Sequence, residues 1–258
     1  MIFVNISRIR NKEEFYHMKY YLVTGASSGI GRETAMRLSD SDTTVILVAR
    51  REDRLKKLQQ EMAGQSVIVP CDLRKSSDIA NVFQVLSERN IKLNGMVYCA
   101  GVGCIAPIKV MERESLEEMF QINVFAFYEM CKCFAQRNVS EKGSTIVGIS
   151  SYSSVSCESG MSAYAMSKEA MNTQVKVLAK EFIKRKIRIN TVMPANVMSK
   201  MACENNDWTE EEINSVESKQ PLGIIPIENV VDMIMYLMSD AGKYITGETI
   251  AISAGYQA

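Results

Sequence analysis

From Lys19 onward, short apolar runs alternate with longer amphipathic stretches. Tyr20 to Thr24, Val45 to Ala49, Ser66 to Val69, Gly95 to Cys99, Thr145 to Ser150, Ile187 to Met193 and Thr249 to Ile252 read as buried strands. Between them, apolar residues recur at helical spacing in segments that begin near Gly29, Glu52, Ser76, Ser115, Ser162 and Glu228. Such alternation predicts an α/β architecture, a doubly wound parallel sheet of about seven strands with helices on both faces. Ligands on such a sheet bind beyond the carboxyl ends of its strands. No internal repeat or proline-rich linker interrupts the pattern, so residues 18–258 are expected to form one domain. Residues 1–17 fall outside the alternation and read as an extension. Their apolar run, Ile2 to Ile6, is too short for a signal-peptide core, and Met18 offers a second start.

Composition narrows the function classes. At 258 residues, with 47% hydrophobic and 23% charged residues, the chain suits one large globular domain. Thirty basic side chains balance thirty acidic ones, so no net field draws the protein to nucleic acid or to a membrane surface. No apolar run approaches the length of a membrane span. The seven cysteines are scattered without a CxxC pair, which argues for reduced thiols and a cytoplasmic setting. His17 is the only histidine, which argues against histidine-based catalysis and against a multi-histidine metal site; no metal is expected.

Two local patterns carry chemistry. Thr24-Gly25-Ala26-Ser27-Ser28-Gly29-Ile30-Gly31 joins the first strand to its helix. Glycines there allow a sharp turn and a close backbone approach to a pyrophosphate, at a helix N-terminus whose N–H groups favour anions. Taken alone, the same loop is a tight connection. The second strand ends in Ala49-Arg50-Arg51, where a carboxylate would suit a ribose 2′-hydroxyl and a guanidinium suits a 2′-phosphate. Arg50, aided by Arg51 and Ser28, therefore favours NADP(H) over NAD(H), against a solvated basic turn as the plain alternative. Asp72 either accepts from an adenine amino group or caps the turn to Ser76. In the second pattern, Tyr164 precedes Lys168 by four residues, so a helix would place phenol and ammonium on one face. An ammonium there is expected to lower the phenol's pKa toward that of a working acid or base. The alternative is a packed tyrosine beside a solvated lysine. With the glycine turn, the pair points to hydride transfer.

Over residues 19–256 the chain resembles the short-chain dehydrogenase/reductase family. The resemblance rests on the stretch from Thr24 to Gly31, on Cys71-Asp72-Leu73, Ala100-Gly101, Asn123 and Ile149-Ser150-Ser151, and on Tyr164-Ala165-Met166-Ser167-Lys168, Pro194 and Tyr244-Ile245-Thr246-Gly247. It implies a single-domain Rossmann fold. Tyr164 would be the proton donor or acceptor, Lys168 would hold the nicotinamide ribose and favour the tyrosinate, and Ser151 would bind the substrate oxygen. Asn123 would hold a water that relays protons to Lys168. The cofactor would meet the glycine turn, Leu73, Ala100, Gly101, Pro194, Val197 and Ser199. Two positions depart from the pattern: Tyr98-Cys99 replaces a pair of asparagines that brace the sheet and the adenosine side, and Pro194-Ala195 replaces Pro-Gly.

Residues 197–222 are expected to form a lid, with a short helix from a Thr209/Glu212 capping box near Glu210. Trp208 either covers the substrate or staples the lid to the body. Tyr152, Val155, Met161 and Met198 predict a largely apolar substrate wall. The helices from Ser115 to Arg137 and from Ser162 to Lys186 carry wide apolar faces, and in look-alike enzymes these helices pack between subunits. A homo-oligomer, dimer or tetramer, is expected, although Phe120, Val124, Phe127, Met171, Val175 and Leu178 equally suit packing on their own sheet. The expected activity is reduction of a carbonyl, on a small-molecule or acyl-thioester substrate. A 3-oxoacyl-carrier-protein reductase, with Arg185 and Lys142 as a basic edge for the carrier, and a sugar or small-ketone reductase both fit. A non-catalytic NADP-binding regulator is the alternative from another class.

Overall fold

A computed structural model describes residues 18–198 and 209–256. Residues 1–17, Ser199, Cys203 and Trp208 lie outside the described residues, so the expectations placed on them stay with the sequence. Seven parallel strands form one sheet in the order β3-β2-β1-β4-β5-β6-β7. They are β1 (Lys19–Thr24), β2 (Thr43–Ala49), β3 (Gln65–Pro70), β4 (Leu93–Tyr98), β5 (Ser140–Ile149), β6 (Arg188–Pro194) and β7 (Thr249–Ile252). The connecting helices are α1 (Gly29–Arg37), α2 (Glu52–Glu61), α3 (Ser76–Glu88), α4 (Arg113–Phe120), α5 (Ala126–Phe134), the single turn α6 (Ser153–Ser156), α7 (Ser162–Phe182), α8 (Glu210–Lys219) and α9 (Ile227–Met238).

Strand alternation sorts the core into two layers. Leu22, Ile46, Met96 and Ile146 face one side, against Val82 and Leu86 of α3, Phe127 and Met130 of α5, and Met171 and Val175 of α7. Their neighbours Val23, Val45, Val97 and Val147 face the other, against Ala35 of α1, Leu55 of α2 and Val230 and Ile234 of α9. Burial on both faces is why these strands read as apolar runs rather than as an alternating pattern. The order reverses between β1 and β4, which opens a crevice at the carboxyl edge where their following loops diverge.

Two expectations about the long helices need correction. The helix predicted from Ser115 starts at Arg113 and is broken by a five-residue π turn, Gln121–Phe125, before it resumes as α5. Phe127, Met171, Val175 and Leu178 pack into the core beside their own sheet, and Val124 is buried. Other residues of these helices, Phe125, Tyr128, Met166 and Val177, remain exposed, and Leu116, Phe120, Phe125 and Met166 line an open apolar groove. Arg185 does not form a basic edge. Its Nη1 donates to the carbonyl of Ala135 at 2.6 Å and its Nη2 to that of Ser140 at 2.5 Å, which ties the end of α7 to the loop before β5.

Arg188 closes the opposite layer in the same way. Its guanidinium donates to the carbonyls of Leu237 at 2.7 Å and Gly242 at 3.0 Å, satisfying acceptors left open where α9 ends. Arg188→Met is expected to destabilise the fold by roughly 2–4 kcal/mol, because charge-assisted bonds are lost and half-buried carbonyls are left without a donor. A urea titration reports this as a lower midpoint with an unchanged slope.

Candidate active site

The carboxyl ends of β1, β2, β4, β5 and β6 surround a cavity of about 850 Å³. Gly25, Ser27, Ser28, Gly29, Ile30, Gly31, Arg50, Arg51, Asp72, Leu73, Ala100, Gly101, Ser151, Tyr164, Lys168, Pro194 and Val197 all line it. Asn123 sits fully buried behind that wall.

The glycine turn is built for close approach. Gly25 has φ +66°, and a Cβ there would fall 2.9 Å from the amide nitrogen of Ala100. A Cβ on Gly31 would fall 2.4 Å from the carbonyl oxygen of Gly25. Gly29, φ +54°, faces open space, so its lack of a side chain leaves room for a ligand at the start of α1. No side chain caps that helix, and its first turn carries no acidic residue. This is the arrangement in which a helix N-terminus receives a phosphate.

At the end of β2, Arg51 Nη2 donates to Ser27 Oγ at 3.2 Å. The hydroxyl that meets the basic pair is therefore Ser27 rather than Ser28. Arg50 has its side chain exposed at the cavity. Asp72 is held by its own loop: Arg74 donates to its carboxylate through the backbone N–H at 3.1 Å and through Nε at 2.9 Å. That guanidinium keeps the carboxyl below its usual range. The turn-capping alternative for Asp72 is what the structure shows: its carboxylate accepts from the Arg74 N–H and its carbonyl from the Lys75 N–H at 2.9 Å, while Lys75 stands at the cap position of α3.

The chemical end gathers four residues from three elements. Lys168 is 3% exposed, and its Nζ donates to the carbonyl of Ile149 at 2.8 Å. Burial pulls its pKa down to about 8, with only Cys99 acting the other way. The ammonium lies 5.7 Å from the centroid of the Tyr164 ring. Gly101 makes room for this: a Cβ there would sit 3.1 Å from Lys168 Nζ and 3.3 Å from Asn123 Oδ1. Asn123 Nδ2 donates to the Val102 carbonyl and to Ser167 Oγ, both at 2.9 Å, while its Oδ1 accepts from the Val102 N–H at 3.0 Å. Both Ser150 and Ser151 line the cavity, but Ser150 is buried with its Oγ donating to the Lys168 carbonyl at 3.3 Å, whereas Ser151 is partly exposed.

The expected depression of the tyrosine is not what its surroundings produce. Burial raises the Tyr164 pKa, and the Ser151 hydroxyl opposes that only in part. The loop from Gly101 to Gly103 lies against the ring and removes water from the phenolate form. Lys168, itself desolvated and committed to a carbonyl, does not offset this.

The substrate wall also differs from expectation. Tyr152 and Met161 line the cavity, but Val155 and Met198 are exposed. Ser153, Ser156, Glu158 and Ser159 of the same segment line it beside them, as do Val102 and Ile105 of the loop after β4, together with Asn196, Val216 and Tyr256. Glu158 Oε1 accepts from Lys219 of α8 at 2.9 Å and from the Tyr256 hydroxyl. Tyr256 in turn packs on Tyr152 with ring centroids 5.2 Å apart. Fully buried Gln220 bonds the carbonyls of Asn196 and Gly223, anchoring both sides of the lid. No sequence signal marks the two bonds to Glu158, whose partners lie 61 and 98 positions away. The lid helix does start at Glu210, as the sequence predicts.

A glycine turn and a Ser–Tyr–Lys group that share one cavity at the switch point of a parallel sheet define an oxidoreductase of the open α/β class. A family model described as "Enoyl-(Acyl carrier protein) reductase" matches residues 25–257. The chain is 30% identical over 247 residues to an L-xylulose reductase of Caenorhabditis elegans, covering 92% of this chain and 95% of that one. It is 27% identical over 241 residues to a 3-oxoacyl-[acyl-carrier-protein] reductase of Homo sapiens, covering 93% and 98%. A short-chain type dehydrogenase/reductase from Mycobacterium ulcerans superposes with a TM-score of 0.85 at 27% identity, over 92% of this chain and 89% of that chain. The chain belongs to the short-chain dehydrogenase/reductase family.

The burial of Lys168 makes stability depend on pH. Its folded pKa lies below the ordinary lysine value near 10.4, so between about 8 and 10.4 the unfolded chain holds more protons and stability rises with pH. Lys168→Met is expected to melt higher than wild type at pH 7, and the gap should close as pH rises through that window. Thermal melts of the two proteins at matched pH measure it.

Proposed function

We propose that the protein is an NADP(H)-dependent oxidoreductase that interconverts a carbonyl and a secondary alcohol. The observation that carries this reading is the continuity of one cavity from the glycine turn and Arg50–Arg51 to Ser151, Tyr164 and Lys168. The residues present fit such a cofactor. Gly25, Gly29 and Gly31 leave room for a pyrophosphate at the start of α1. Arg50 and Arg51 supply guanidinium groups for a 2′-phosphate. Leu73, Ala100 and Gly101 would flank the adenosine and ribose, and Pro194 and Val197 the nicotinamide. Asp72, held by Arg74, would face the adenine.

When bound, the reduced nicotinamide supplies the hydride. Ser151 orients the substrate carbonyl by donating to its oxygen. Tyr164 gives that oxygen its phenolic proton, and its raised pKa keeps the proton in place near neutral pH until the oxygen gains charge. Lys168 stabilises the resulting phenolate, and Asn123 holds the loop and helix that frame the pair. In the oxidative direction Tyr164 takes the proton back.

The hydroxyl groups on the substrate wall support a neutral, polyhydroxylated ketone, and the apolar Val102, Ile105, Met161 and Val216 beside them keep an acyl chain as the second reading. Ser153, Ser156, Ser159, Tyr152 and Asn196 can bond hydroxyls. Arg185, the cation once open to an acidic carrier, is engaged with Ala135 and Ser140. A ketose such as the one named for the L-xylulose reductases is the first substrate to try, with 3-oxoacyl thioesters as the comparison. The exposed apolar strip on α4, α5 and α7 supports a homo-oligomer, and six unpaired cysteines among the described residues support a cytoplasmic setting.

With NADPH and a panel of ketoses, small ketones and acyl thioesters, wild type should turn over at least one class. Tyr164→Phe should lower kcat by about 10²–10⁴-fold while NADPH affinity, read by fluorescence, stays within a few-fold. Turnover that survives this change rejects the mechanism. Arg50→Asp should weaken NADPH binding by about 10–100-fold and leave NADH binding nearly unchanged. Equal losses for both cofactors would remove Arg50 from the phosphate site.

A further inference from the structure

The chain departs from its family's pattern at Tyr98, and the structure puts that side chain directly behind the site. Tyr98 ends β4 and is fully buried. Its hydroxyl donates to the carbonyl of Ile122 at 2.6 Å, and its ring meets that of Phe127 edge-on, with centroids 5.1 Å apart at 61°. Ile122 belongs to the π turn between α4 and α5. In a regular α-helix the Ile122 carbonyl would accept from the N–H of Ala126. That N–H is given to Gln121 instead, so the wider turn diverts the carbonyl's usual donor. The Tyr98 phenol supplies a replacement from outside the helix, in a place water does not reach.

The turn matters because the next residue is Asn123. From its buried position Asn123 holds both backbone groups of Val102 and the hydroxyl of Ser167. Ser167 in turn donates to the Tyr164 carbonyl at 2.8 Å. Val102 follows Gly101, the residue that faces Lys168 Nζ. A continuous chain of contacts thus runs from the phenol of Tyr98 through the π turn to the loop and helix that position Tyr164 and Lys168. An α-register in place of the π turn would rotate Asn123 out of this arrangement.

We propose that Tyr98 is a positioning residue: its hydroxyl holds the π turn open and so sets Asn123, and through it the placement of Tyr164 and Lys168. The proposal rests on the catalytic reading above, and its test separates the two. Tyr98→Phe keeps the ring and removes only the donor. By hydrogen–deuterium exchange on the intact protein, amides of residues 119–128 and 100–104 should exchange about tenfold or more faster, with the strands unchanged. With NADPH and the best ketone of the panel, kcat should fall about 10–100-fold at a nearly constant KM for NADPH, and the pH profile of kcat should shift. Phe127→Leu, which loosens the ring packing but keeps the hydroxyl, should lower the melting temperature and leave exchange at 100–104 and the pH profile near wild type. Exchange in Tyr98→Phe that matches wild type in both segments overturns the proposal. So does faster exchange with an unaltered kcat and pH profile, which would make the bond structural only. Failure of the catalytic reading looks different: Tyr164→Phe itself would retain turnover.

Discussion

Removal of a lysine amine from water is the constraint on which the rest of this site depends. Lys168 is held under the carboxyl edge of the sheet by one backbone carbonyl, with no carboxylate beside it among the described residues. An ammonium in that position is costly, and groups perturbed in this way cluster at functional sites. The neighbouring features follow from making room for it. Gly101 lacks the Cβ that would crowd Nζ. Ser150 bonds the lysine's own carbonyl. Asn123 closes the far side with a neutral amide whose groups are matched to backbone and serine partners. A charged residue at 123 would either bury a second ion or pair with the amine and fix its proton.

What could be read from the chain and what could not divide along physical lines. Strands such as Val45 to Ala49 are legible because burial on both faces writes a continuous apolar run into a few consecutive residues. The glycine turn and the Tyr164–Lys168 spacing are legible because each lies within one local element. The direction of the Tyr164 pKa was not. It depends on the loop from Gly101 to Gly103 lying over the ring, which is a tertiary contact between residues about sixty positions apart. Asp72 as a turn cap was legible because it is local: its carboxylate accepts from an N–H two residues on. That the guanidinium of the same Arg74 also binds the carboxylate is a competition that the pattern of turn residues does not rank. Glu158, Lys219 and Tyr256 left no trace, since each is unremarkable until the fold brings the lid helix and the chain end to one carboxylate.

The two halves of the cavity obey different rules. On the nucleotide side the contacts offered are backbone turns and exposed cations, which suit phosphate groups common to every reaction of this class. On the substrate side they are hydroxyls, an amide and one carboxylate, drawn from α6, α7's leading loop, the lid and the C-terminal segment. Among the described residues, the segment between β6 and α9 is tied down at its flanks: Gln220 binds Asn196 and Gly223, and Val197 pairs with Ile225. Substrate choice can therefore change through a few loop side chains without disturbing the sheet edge, the division expected when loops on a rigid scaffold carry specificity.

Tyr98 shows that this division is not complete. A core residue at the end of β4 would ordinarily answer only to packing, and its contact with Phe127 is of that kind. Its hydroxyl, however, reaches the one helix in the described structure whose register is broken, at the carbonyl whose α-helical donor has gone elsewhere. Phenylalanine would fill the same volume and remove the phenol's donation to that carbonyl; a small amide would reach it only by giving up the ring's contact with α5. The side chain thus meets two demands at once, apolar volume for the core and a single donor for the turn that carries Asn123. Core packing and site geometry are joined through that one oxygen.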